Sequence, residues 1–250
     1  MAVTFNTTLN NAPVGTLFIW SGTAAPTGYL FCDGSFLSRT TYAKLFNILC
    51  TSKGTFTVTI ASPGVFTLNT HGLATGDCVS LSTTGALPTG LAVATNYYVI
   101  YVSANTFNLA TTYANAIATV PTKINTGGTQ SGIHSLLHNP WGISGASNFL
   151  LPDSNGAFPR GIGTSTKFTA NKTIGLGHYN DDVFQGHRHS VSHNAISSNL
   201  GGGSAWIGGS QVVAASVSVL NPTTDTVNGT PRTGNETASK SLGVNFIIKY

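Results

Sequence analysis

Apolar residues along this chain come in short runs closed by turn residues, the pattern of strands rather than of helices. In residues 14–30, VGTLFIWSGTAAPTGYL, the run LFIW is followed by a Gly/Pro cluster. YLFCDG then reads as a second strand closed by the Asp33-Gly34 turn. The exception is SRTTYAKLFNIL, residues 38–49. Tyr42, Leu45, Phe46 and Leu49 fall at i, i+3, i+4 and i+7, which predicts one helix with one apolar face, capped by Ser38 or Thr40. Large apolar side chains at that spacing are expected to pack as core.

After Lys53-Gly54 the texture changes. FTVTIA, GVFTLN, DCVSLS, NYYVIYV and NTFNLA read as short strands, parted by SPG, HGLATGD and LPTG turns at the spacing of a small sandwich or barrel. Residues 55–140 are therefore expected to be an inserted all-β subdomain. It shows no clustered carboxylates, and His71, His134 and His138 are expected to face solvent. NFLLPDSNGAFPRGIG then supplies a strand, a turn and a Pro/Gly bend. Gly-rich loops, the cluster GHRHSVSH and a closing strand within SLGVNFIIKY complete the chain.

Charge changes the picture. Only 7% of the 250 residues are charged, against roughly 25% in an ordinary soluble domain. With 41% hydrophobic residues, charge-driven disorder is excluded. The 11 Lys+Arg are spread thinly against 7 Asp+Glu, so no stripe exists to track nucleic-acid phosphates. No window approaches the roughly 18 unbroken apolar residues of a membrane span. MAVTFNTTLNN lacks the basic start and apolar core of a secretory signal, which makes synthesis in a cytoplasm without Sec export the expectation. Cys32, Cys50 and Cys78 show no CxxC spacing and are expected as reduced, buried thiols. Residues 78–122 and 190–224 contain no Asp, Glu, Lys or Arg at all. Surface charge keeps a monomer soluble, so such stretches point to surface that meets other copies of the chain.

Four pieces in order resemble the phage tail-collar family: GTLFIWSGTAAPTGYLFCDG (15–34), SRTTYAKLFNIL (38–49), FLLPDSNGAFPRG (149–161), and GHRH (186–189) with ETASKSLGVNFIIKY (236–250). In the family the leucine-proline-aspartate piece follows the helix closely, whereas here the β-insert intervenes. The resemblance implies a mainly β fold: a tail-collar-type domain with one short helix (1–54, continued in 141–175), the inserted sandwich- or barrel-like subdomain (55–140), and an intertwined trimeric C-terminal tip (176–250). It also implies a homotrimeric virion protein of a tail fibre or baseplate.

His187 and His189 leave the same face of a strand. One strand thus offers two imidazoles, too few to hold a transition metal well, and the spacing alone equally fits solvated histidines. Three copies about an axis would supply six ligands, and the resemblance implies this arrangement, with a metal ion on the trimer axis. Structural zinc prefers four tetrahedral ligands, so six imidazoles lean toward iron, and the choice of iron or zinc stays open. His178 and His193 are weaker candidates, and Arg188 is expected to face away, toward Asp181 or Asp182.

The function these readings favour is attachment to a host surface receptor such as lipopolysaccharide or another glycan, without enzymatic activity or insertion into the membrane. Trp206, in GGGSAWIGGS, is the candidate receptor contact, although a packed core tryptophan fits the same sequence. Two alternatives stay open. One is a baseplate component that docks to virion proteins only. The other is a metal-dependent glycan hydrolase built on His187, His189 and His193.

Overall fold

The structure is a computed structural model, and it describes residues 11–163, 174–180 and 241–250. The chain divides into one compact unit of residues 1–179 with 242–250 and a second of residues 180–241. The first unit is mainly β, with two short helices and a closed barrel among the described residues.

The part that precedes and follows the insert forms a hub of two small sheets. β1 (Leu17–Trp20) and β2 (Tyr29–Phe31) do not pair with each other. The closing strand β12 (Asn245–Lys249) lies between them, antiparallel to both, with Phe18 opposite Ile247 and Ile247 opposite Phe31. The second sheet has the order β10 (Ile143–Ser144), β11 (Asn148–Leu150), β3 (Phe36–Ser38), again antiparallel. Helix α1 (Ala43–Leu49) packs its apolar stripe onto the hub core. Leu45 is fully buried beside Phe149, Leu151, Ile143 and Ile248, and Tyr42, Phe46 and Leu49 pack around them. The stripe predicted from the sequence is thus the face the helix buries.

The cap is different from the one expected. The helix begins at Ala43 with Tyr42 at the cap position and no side-chain cap bond. Ser38 instead braces the preceding turn, its Oγ accepting the Thr41 N–H at 3.3 Å while its carbonyl accepts the Tyr42 N–H.

The insert is a closed antiparallel barrel in the order β4 (Thr51–Val58), β5 (Phe66–Thr67), β8 (Thr106–Ala110), β7 (Tyr97–Tyr101), β6 (Cys78–Thr83), β9 (His134–His138), with β9 returning to β4. Alternate residues point inward, as the period of two requires: Phe56 and Val58, Val79 and Leu81, Tyr97 and Val99, Phe107 and Leu109, Leu136. Phe66 sits between Phe56 and Phe107 at ring-centroid distances of 5.6 and 5.3 Å. Each such side chain contributes about 1.5–3 kcal/mol on burial. A five-residue helix, α2 (Tyr113–Ile117), covers the outer face of β7 and β8 through Ile100, Ala110 and Ala116. This second helix was not expected. Its sequence signal is Thr112, whose hydroxyl accepts the Asn115 N–H at 3.1 Å.

Candidate functional site

The turn Cys32-Asp33-Gly34 and the bend Pro152-Asp153-Ser154 are about 120 residues apart in sequence and lock together in space. Asp33 and Asp153 form an isolated antiparallel bridge. The Gly34 N–H donates to the Pro152 carbonyl, and the Ser154 N–H and hydroxyl both donate to the Cys32 carbonyl at 2.9 Å. Gly34 is needed here: its φ is +72°, and a Cβ would lie 3.1 Å from Asp153 Cβ. Each carboxylate is occupied by its own turn, Asp33 accepting the Ser35 N–H at 3.0 Å and Asp153 the Asn155 N–H at 3.1 Å. Tyr179 closes the knot, its hydroxyl donating to the Asp153 carbonyl at 2.8 Å and accepting the Asp153 N–H at 3.0 Å. Burial pushes its phenol above the usual value, so it stays a donor. A cavity of about 190 Å³ beside this knot is lined by Phe31, Asp33, Asn155, Val244 and Phe246.

A second polar cluster joins barrel to hub. Asn139, fully buried, donates from Nδ2 to Asn96 Oδ1 at 3.0 Å and to Cys78 Sγ at 3.3 Å. Asn96 clamps Ile143 by both backbone groups, accepting its N–H and donating to its carbonyl, each at 3.0 Å.

The three cysteines are free and buried, as expected. Burial pushes their thiols up to about 12 for Cys32, about 11 for Cys50 and about 12 for Cys78, so none is a nucleophile at neutral pH.

Two histidines expected to face solvent are buried instead. His71 is 3% exposed, with Nδ1 accepting the Leu73 N–H at 3.0 Å and Nε2 bonded to the Ser103 carbonyl at 2.9 Å. His134 is 5% exposed and bonded at both nitrogens, to Thr83 and Gln130. A neutral imidazole has one donor and one acceptor, and each site supplies one partner for each, so burial costs little. His138 is half-buried.

His187 and His189, the predicted ligands, lie outside the described residues, as do Trp206, His193, Asp181 and Asp182. Among the described residues no group of three or more His, Cys, Asp or Glu is placed to hold a metal ion. No helix among them is long and apolar enough to cross a membrane. A depression of about 550 Å³ lies on the barrel. Its lining includes the uncharged side chains of Thr55, Thr57, Thr67, Asn69 and Ile133, and nothing in the sequence pattern marked it.

Residues 15–58 match the family model described as the Phage Tail Collar Domain. The matched stretch holds β1, β2, β3 and α1 of the hub and runs on through β4, the first strand of the barrel. No curated protein and no solved structure matches the chain. The tail-collar resemblance is thus shown for this stretch.

Proposed function

We propose that the chain is a homotrimeric phage tail fibre tip protein that attaches the virion to a glycan on the host surface, such as lipopolysaccharide, without catalysing a reaction. The collar match over residues 15–58 carries this reading. The hub supports it, because β11, the Asp153 bend and β12, all outside the matched stretch, complete the same sheets and turns. Trimerisation is supported by Phe158, Ile162 and Leu242 of the first unit, which are 76%, 63% and 84% exposed. Large apolar side chains left bare there suit a surface closed by further copies. In that trimer His187 and His189 of three chains would hold an iron or zinc ion on the axis, and Trp206 would contact the receptor. The uncharged hydroxyl and amide groups around the barrel depression suit a glycan as well.

The test is assembly state and metal content measured on one sample. Sedimentation is expected to give three chains, and elemental analysis one ion per three chains, lost in His187→Ala/His189→Ala with a lower melting temperature. A stable, metal-free single subunit would overturn the proposal. Receptor contact is tested by competition: the purified protein should block phage adsorption, and Trp206→Ala should block it less.

A further inference from the structure

Three side chains from separate parts of the first unit converge below the surface. Asp77 lies in the turn that opens β6, His138 is the last residue of β9, and His178 belongs to the short segment 174–179. Asp77 Oδ2 accepts the Ala74 N–H at 2.8 Å. Its Oδ1 lies 3.4 Å from His178 Nε2, and its Oδ2 lies 3.9 Å from His138 Nε2. Both Nε2 atoms are buried and have no hydrogen-bond partner of good geometry among the described residues. Buried polar atoms normally find partners, so a pair of unsatisfied nitrogens beside one carboxylate marks a site with more than one arrangement.

His178 is what ties its segment to the barrel. Its ring meets Tyr113 of α2 edge-on at 5.3 Å. Glycines make the space for it, since a Cβ on Gly76 or Gly175 would come within 2.9 or 2.7 Å of the ring's Cε1. The polar anchor of that ring is Asp77, and Asp77 is also within reach of His138. A cluster not shaped for a metal can still bind a proton.

We propose that Asp77, His138 and His178 form an acid-released latch, in which the single carboxylate holds His178 while His138 is neutral and is drawn to His138 when that ring takes a proton. Protonation turns His138 into a competing cation close to the same carboxylate. With the carboxylate drawn away from His178, the segment 174–179 loses its polar tie to the barrel and is left with the Tyr179 bonds to Asp153.

The charges facing the cluster agree with this order. On His138, burial is the largest influence and pushes its pKa down. Asp77 opposes it, and Lys53 on β4 and His178 add to the lowering. On Asp77, burial pushes up, but the Ala74 N–H bond and the nearness of both imidazoles outweigh it, so the carboxyl is held below its usual value. The neighbouring Cys78 thiol stays neutral. A histidine with a depressed folded value leaves the closed state unaffected above the free imidazole range. The closed state then loses stability as pH falls below about 6.5. Asp77 remains ionised through that window, since its own contribution is lost only below about 3.9.

Hydrogen exchange of the full chain, corrected for the intrinsic pH dependence of the chemical step, reads the latch directly. Amides of 174–179 are expected to exchange about tenfold faster at about pH 5 than at about pH 7.5, while β6 to β8 stay protected. His138→Gln keeps a polar group near Nε2 but cannot take the proton, so the segment should stay protected at both pH values. Asp77→Asn should leave it unprotected at both. If Asp77→Asn does not fold, His138→Gln still decides. An acid-dependent exchange that persists in His138→Gln, or an unchanged rate in the wild type, would overturn the latch.

Discussion

Asn96 tests whether side-chain amides hold the barrel in register with the hub. Toward Ile143 its carboxamide does what a neighbouring strand would do, accepting the N–H and donating to the carbonyl at 3.0 Å each. The same Oδ1 accepts one N–H of Asn139 at 3.0 Å. Asn96→Ala leaves those three groups without their partner. An unsatisfied buried polar group costs roughly 1–3 kcal/mol. Asn96 is only half-buried, so water relieves part of the loss and the lower end applies, about 3 kcal/mol for the three together. In a unit of this size each kcal/mol moves Tm by about 2–4 °C. Calorimetry at fixed scan rate and protein concentration should therefore show a fall of about 6–12 °C. Thr95→Ala is the control, since Thr95 is exposed and its hydroxyl bonds only the Val93 carbonyl. It should stay within about 0.5 kcal/mol of the wild type. If Asn96→Ala melted with Thr95→Ala, the amide clamp would contribute nothing, and apolar contact alone would have to set the junction.

Two further outcomes follow from single positions. Gly177 has φ +77°, and a Cβ there would run into the Pro140 carbonyl, whereas Gly156 has φ +69° and open space around it. Gly156→Ala should lose only the backbone term of about 1 kcal/mol, and Gly177→Ala distinctly more; equal melting points would refute the close approach. The thiols of Cys32, Cys50 and Cys78 are buried, with values pushed up to about 12, 11 and 12. A thiol reagent at about pH 8 should find none of them in the native protein and all three after denaturation; one reactive equivalent in the native state would show an opening this structure lacks.

The elements legible in the sequence are those whose signal is local. The stripe Tyr42, Leu45, Phe46, Leu49 marked α1, and each of the five apolar runs in the insert overlaps a barrel strand. β9 was not read as a strand because HSLLH begins and ends in histidine. Its burial depends on Thr83 and Gln130 bonding His134, partners that no periodicity reveals. Helix α2 is five residues long, too short for a 3.6-residue period to show, and only its Thr112 cap betrays it. The place of β12 between β1 and β2 is a matter of pairing across the whole chain and leaves no trace in its own residues. Asn96, Asn139 and the Asp77 cluster escaped for the same reason: each residue is ordinary alone and acquires its role from partners brought close by the barrel's closure. The predicted ligands His187 and His189 and the predicted contact Trp206 lie outside the described residues.

How a hub accommodates so large an insertion follows from where the insertion begins and ends. The first rung of the β4–β9 ladder pairs Thr51 with His138, so the chain leaves the hub after Cys50 and returns at Asn139 on adjacent strands. A floppy loop of the same length would charge the hub a closure entropy that grows with the logarithm of its length. Here the barrel's own ladder holds the ends together, and to the hub the insert resembles a hairpin. The connection is nonetheless not a hinge. Leu137 and Ala94, both barrel residues, pack into the hub core, Asn139 takes the Cys78 carbonyl through its backbone N–H, and Asn96 grips Ile143. Apolar packing and hydrogen bonds on both sides of one junction remove the rotations that a two-stranded connection alone would leave free. A surface on the barrel, such as the uncharged depression over Thr55 and Thr57, is therefore presented at a fixed angle to the collar hub.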